Sequence, residues 1–463
     1  MTWYETDEKG VFSRPIGENE VFIKRLGDAG LPLNREHWAI NSTATIVPIG
    51  SMASADLASH FRRAWAHLRF QHPNLAAESA PDNKNLIYTV PDDEEALDVW
   101  VSQTFSVATH ASSSAEIIAT FQPSPYAKLI YIPRSGELVG HTSHWRSDGI
   151  GAILLLDALL SIASEPLAGP ASLPWGTEVK RLAPSIEEAA AIPKDSTPAL
   201  KEGGAAALAT FSHAAGAVGI PSIGTNTLPG GTRSAAVILD PATTEKVIVA
   251  CKEKGVSVTA AVHASVAGAN YALANEEDRN KHYTSTVRFA LRPYLPEPYS
   301  TPAYAASLYT TGWMKRVEPG SSWTERLGQY QSEYQKGITR EFLDSHREYA
   351  AQLDEMIQNL SQNEGGENPS DVDISSIGVA EKLIRRSYGT PEAGFDVTAV
   401  SVGVEMLSRQ AVTFVWTFRG SLNLSVVYNE SYHSAEQMDR FVSEVRTHLL
   451  DGLNIKDSIT SLA

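Results

Sequence analysis

Two residues able to manage a proton stand out by their spacing. His144 and Asp148 bracket the segment His144-Trp145-Arg146-Ser147-Asp148-Gly149, an H-x-x-x-D-G pattern. Imidazole titrates close to neutrality, so a histidine held at a strand terminus can take a proton from a hydroxyl or amine as it attacks an electrophile. Asp148 stands just before an apolar run from Ile150, where a carboxylate caps the free N–H groups of a helix start. Gly149 lets backbone pass close to a ligand or through a tight corner. The spacing alone is weak. With 13 His and 20 Asp in 463 residues, chance supplies about 0.6 such matches. Its weight depends on the elements around it.

Those elements can be read from periodicity. The sequence predicts a strand over 128–132, a tight turn at Arg134-Ser135-Gly136 and a second strand ending near His144. A helix follows Asp148. Upstream, residues 38–49 read as a strand. Leu57, Phe61, Ala64, Trp65 and Leu68 recur at helical steps until His72-Pro73 stops the helix. A further strand is predicted at 86–90. From Trp175 to Gly231 the chain turns rich in Ala, Gly and Pro, as a crossover does. The strand–helix pattern then restarts at 234–240, with a helix opened by Pro241 and ended by Gly255. Next come a small-residue helix over 258–274 carrying His263 and a strand over 283–293 with Arg288 and Arg292 on one face. A strand at 304–313, two helices within 322–360 and a polar surface loop at 361–373 complete the middle. Strands at 396–402, 411–418 and 422–429 precede an amphipathic helix over 434–450. A chain of 463 residues exceeds one ordinary core. The expected division is 1–185, a crossover at 186–232, and 233–463.

Composition narrows the function classes. A formal charge of −16 argues against nucleic acid or an anionic membrane as the main partner. The lone cysteine, Cys251, excludes an internal disulfide, suits a reducing compartment and reads as a buried small hydrophobe. No basic-then-apolar leader and no apolar run near ~20 residues is present, so a cytoplasmic protein is expected. His141 could suggest a metal site with His144 and Asp148, but residues three apart on a strand face opposite ways, and no metal is expected. His263 reads as a packed or surface histidine. There is no G-x-S-x-G elbow, P-loop or G-x-G-x-x-G. Asp457-Ser458-Ile459 loosely matches a carrier-domain phosphopantetheine site without the helices such a domain needs, and is read as accidental.

Several segments together resemble the chloramphenicol-acetyltransferase-like H-x-x-x-D acyltransferases, a superfamily that includes plant BAHD enzymes, condensation domains and fungal trichothecene O-acetyltransferases. The segments are His144 to Gly149, FRRAWAHLRFQHPNLAA (61–77), GVSVTAAVHASVAGA (255–269), TVRFALRPYLP (286–296) and YNESYH (428–433). The D-F-G-W-G motif of the plant enzymes is absent; FRGSLNLSVVYN (418–429) stands there. The fungal trichothecene-type branch is therefore the nearer resemblance. It implies a mixed α/β fold of two acyltransferase-like domains with a channel between them, donor and acceptor entering from opposite ends.

By the same resemblance, His144 is the general base and Asp148 anchors its loop through an ion pair. Arg288 is the best match to the family's partner arginine, with Arg292 as the alternative, and Gly149 serves the exit from the loop. The implied function is transfer of an acyl group, acetyl foremost, from acyl-CoA to a hydroxyl of a small, largely apolar secondary metabolite. Acyl-CoA is then a co-substrate, no cofactor is needed, and a monomer is expected. Two other readings remain open at this point: a condensation-type catalyst using a carrier-bound thioester, and a metabolite-binding or cyclisation protein reusing the same channel. Ser401, Thr417 and Ser421 lie in strand regions suited to an oxyanion donor, without a choice among them.

Overall fold

A computed structural model describes residues 2–224, 227–361 and 369–456. The fold is mixed α/β; beside a small sheet in the order Tyr4–Glu5, Val11–Pro15, Asn85–Thr89 and Glu78–Ser79, it is built on two sheets whose strands do not follow chain order. The first sheet has six strands, in the order Ser387–Thr390, Ala393–Val404, Ile40–Gly50, Glu137–Thr142, Lys128–Ile132 and Phe105–Val107. The second has four, in the order Val372–Val379, Ala411–Phe418, Ser421–Asn429 and Thr232–Leu239. A separate two-stranded ribbon pairs Tyr283–Ala290 with Thr310–Val317.

The strand that precedes His144 sits centrally in the first sheet. Glu137–Thr142 is hydrogen-bonded on one side to Lys128–Ile132 and on the other to Ile40–Gly50. Leu138 and Val139 are wholly buried, so the strand has no freedom to slide. The helix that follows, Gly149–Ala163, is apolar almost all round, with ten of its residues buried. Such a helix belongs in the middle of a core. It packs against Leu57–Gln71, which buries Phe61, Ala64, Trp65 and Leu68 as the sequence spacing requires.

The division of the chain differs from the sequence expectation in two ways. First, Ser387–Thr390 and Ala393–Val404 belong by sequence to the part after 233, yet they complete the first sheet. Ala393–Val404 pairs with Ile40–Gly50 along its length, and Phe395 and Val397 enter the first core. Twelve residues of strand with alternating buried positions need a neighbour on each edge, and the open edge of Ile40–Gly50 supplies one. Second, the Ala/Gly/Pro-rich crossover is not a bare linker. It contains the helix Pro198–Leu208, which lies on His346–Ser361 so closely that a side chain at Gly204 would meet the Tyr349 amide at 2.8 Å. Ile186, Ala189, Ala190 and Ile192 are buried with Tyr309 and Trp313. The small residues that look like linker composition are there for close helix packing.

Two further expectations shift. The strand predicted at 304–313 is Thr310–Val317, because 305–309 is held elsewhere, as described below. In the expected loop at 361–373, residues 362–368 lie outside the described residues, and strand already begins at Val372. Asp457-Ser458-Ile459 also lies outside them. No helix among the described residues is long and apolar enough to cross a membrane.

Candidate active site

The loop between the strand ending at Thr142 and the helix starting at Gly149 is tied down residue by residue. Ser143 Oγ donates to Glu36 at 3.0 Å. The Arg146 guanidinium is buried and donates to Thr142 Oγ1 and to the carbonyls of Ala77 and Pro125. It lies over the Trp145 ring, 4.4 Å from its centre. Ser147 Oγ donates to the Ala305 carbonyl at 3.0 Å. Trp145, Arg146, Ser147 and Asp148 are all buried; only His144 and Gly149 keep part of their surface exposed.

Asp148 does two jobs with one carboxylate. Its Oδ1 accepts from the Gly151 amide at 2.8 Å, which is the helix cap that the sequence predicts. The same oxygen accepts from Arg292 Nη1 at 2.8 Å; Oδ2 accepts from that nitrogen at 2.7 Å and from the Tyr309 amide at 2.9 Å. Arg292 Nη2 reaches the carbonyls of Ala305 and Ser307. The pair is almost wholly buried, at 7% and 6% side-chain exposure. A buried carboxylate is stable only when charge and lone pairs are both met, and here they are.

Arg292, not Arg288, is therefore the partner of Asp148. The physical reason is where the strand ends. The sequence predicts one strand through 293, but the strand stops at Ala290, and Arg292 to Tyr294 form a single helical turn. That turn carries the Arg292 side chain to the start of the helix Gly149–Ala163, while Arg288 stays on the ribbon. Arg288 pairs instead with Asp373 at 2.8 Å and donates to the Ile374 carbonyl. It is still close enough to His144 for its charge to act on the ring.

The role expected of Gly149 belongs more strictly to Gly151. A methyl group at Gly149 would meet only the tips of Ile377 and Val402, at 3.3 and 3.5 Å. At Gly151 it would meet the Ala305 carbonyl oxygen at 2.2 Å, a backbone atom that cannot step aside. The sequence holds a signal for this, G-I-G at a helix start, but not which glycine faces another chain segment.

His144 is set between these parts. Its Nδ1 is buried without a well-formed hydrogen bond, whereas Nε2 carries no hydrogen-bond partner among the described residues and is not fully enclosed. Its pKa is lowered from the ordinary value, chiefly by burial; the Asp148 carboxylate and the carbonyls of His144 and Ser147 oppose that shift, and the charge on Arg288 adds to it. The ring is therefore neutral at neutral pH, with an unpartnered nitrogen able to accept a proton. The Trp38 ring lies beside it, 6.4 Å between centres at 52°.

Other residues weighed from the sequence are packed. His141 is stacked on Phe121 and bonded through Nδ1 to Asn41, and burial drops its pKa to about 3. His263 is fully buried, with hydrogen bonds to Ser285 and Tyr334 and a stack on Tyr330. Cys251 is buried and free. No group of three or more potential metal ligands occurs among the described residues. Ser401, Thr417 and Ser421 lie in the strands expected to hold them, and no described contact joins any of them to His144. Two hollows, a void of about 30 Å³ beside His141 and a surface groove of about 550 Å³ between His67 and Ala303, do not include His144 in their walls. The chemistry, not the size of a hollow, locates the site.

No family model matches the chain. Individual proteins do. The chain is 43% identical over 465 residues to acetyltransferase pigO of Monascus ruber, covering 99% of both. It is 32% identical over 459 residues to O-acetyltransferase pigM of the same organism, covering 98% of this chain and 88% of that one. Among solved structures it resembles the TRI3 trichothecene 15-O-acetyltransferase of Fusarium sporotrichioides, with a TM-score of 0.81, 16% identity and 97% of each chain covered. The identity to pigO and pigM over whole chains goes with a common fold. The chain belongs to the fungal acetyltransferase family of pigO and pigM and is an acyltransferase of the chloramphenicol-acetyltransferase-like fold.

Proposed function

We propose that the protein moves an acyl group, acetyl foremost, from acyl-CoA to a hydroxyl of a small, largely apolar metabolite, with His144 as general base. The supporting observation is the histidine itself. A neutral ring holds an unpartnered Nε2 on a loop clamped by the buried Asp148–Arg292 pair. An alcohol is a poor nucleophile at neutral pH, and its proton must leave as the new bond forms. In this reaction His144 Nε2 takes that proton while the alcohol oxygen attacks the thioester carbonyl. The tetrahedral intermediate then collapses, the C–S bond breaks, and the imidazolium returns the proton to the departing thiolate. The products are an ester and free CoA. A thioester is activated already, so a covalent enzyme intermediate is unnecessary.

The test combines a product screen with one variant. Purified protein is incubated with a panel of acyl-CoAs and alcohols, and products are read by mass spectrometry as a gain of one acyl unit. His144→Ala is expected to lower kcat by ~10²–10⁴-fold, the usual worth of general-base catalysis. Donor affinity should stay within about 2-fold, because the ring's job is the proton and not the binding. Near-normal turnover with weakened binding would overturn the assignment of the base. Absence of any acyl gain across the panel would overturn the CoA-dependent reading.

A further inference from the structure

Trp38 is not needed by the mechanism, yet it lies beside the base in a conformation that a tryptophan avoids. Its φ is +63°, in the left-handed region, where a bulky side chain is an outlier and costs free energy. The backbone around it is held from several sides. The Trp38 amide donates to the Glu405 carbonyl at 2.8 Å, the Glu405 amide donates to the Ala39 carbonyl at 2.8 Å, and the His37 amide donates to the Gly27 carbonyl at 3.1 Å. Glycine would adopt this turn freely; the chain spends strain to place an indole there. The ring packs partly against the cluster of Trp145 and Leu308, lies 5.3 Å from the His37 ring at 30°, and is half-buried. The indole N–H has no partner among the described residues and is not enclosed. Strain of this kind concentrates where a side chain must meet a ligand.

We propose that Trp38 contacts the acceptor and sets its class: a flat, conjugated alcohol whose ring system stacks on the indole while its hydroxyl reaches His144 Nε2. A planar wall 6.4 Å from the base favours a flat substrate over a puckered saturated one of the same size. The proposal rests on the acyl-transfer reading above and adds the acceptor's shape to it.

The test uses the whole protein and two probes of matched skeleton, 2-(2-naphthyl)ethanol and its decahydro counterpart. Dissociation constants are measured by calorimetry without donor, and acceptor KM and kcat are measured with acetyl-CoA. The wild type is expected to prefer the naphthyl probe. Trp38→Leu should reduce that preference by about 2- to 12-fold, the range that an aromatic contact contributes beyond its area. Trp38→Phe should keep most of it, and the KM for acetyl-CoA should not change in either. Should Trp38→Leu fold poorly, Trp38→Gly removes the same ring while relieving the positive φ. An unchanged preference on loss of the ring, or no preference in the wild type, would overturn the proposal. The two readings fail separately. A Trp38-dependent binding preference without acyl transfer would sink only the reaction; acyl transfer with a Trp38-independent preference would sink only the acceptor contact.

Discussion

Asp148→Asn is the substitution that presses hardest on the architecture of the site. In the wild type both oxygens accept: Oδ1 from the Gly151 amide, Oδ2 from the Tyr309 amide, and each from Arg292 Nη1. An asparagine has one oxygen and one NH₂ group, so either flip aims a donor at a backbone N–H that also donates. One buried N–H therefore goes unmet, at about 1–3 kcal/mol. Arg292 also loses its counter-charge, and breaking a buried ion pair by removing one partner costs about 3–5 kcal/mol in all. For cooperative units of 150–250 residues, each kcal/mol lowers Tm by roughly 2–4 °C. The expected drop is thus on the order of 6–20 °C, read by calorimetry or far-UV melting. Turnover should fall as well, since the loop that aims His144 is anchored there. A double variant, Asp148→Asn with Arg292→Met, removes the orphaned charge and should be less damaged than the sum of the single changes. A Tm within about 2 °C of wild type for Asp148→Asn, or strict additivity in the cycle, would refute the claim that this pair holds the site.

Two further outcomes follow from the same geometry. Gly151→Ala should cost far more stability than Gly149→Ala, because only the first drives a methyl group into a backbone carbonyl; equal melting of the two variants would contradict the packing described. The acid limb of kcat/KM should lie below the ordinary histidine pKa, because burial lowers the pKa of His144 and activity needs the neutral ring. Removing the positive charge of Arg288 takes away one of the influences lowering it, so Arg288→Gln should move the limb to higher pH; a shift to lower pH, or none, would show that Arg288 does not act on the base.

What could be read before the fold was known was local. The strand before His144, the cap at Asp148 and the apolar helix behind it depend on neighbours within a few residues, and period and capping chemistry record them. The H-x-x-x-D-G segment and the fungal-type resemblance likewise lie in contiguous stretches. What stayed hidden depends on where distant pieces meet. Arg288 and Arg292 are equivalent on an extended strand; the chain leaving the strand after Ala290 makes Arg292 the one that reaches Asp148. Residues 305–309 read as strand, but Ser147, Asp148 and Arg292 claim their backbone groups. The strands from Ser387 to Val404 read as part of the second half, and the unpaired edge of Ile40–Gly50 draws them into the first sheet. Trp38 sits in a sequence that gives no hint of a positive φ. Local propensity is written in the chain, whereas which partner satisfies a buried charge or an open strand edge is decided only when the whole chain competes for it.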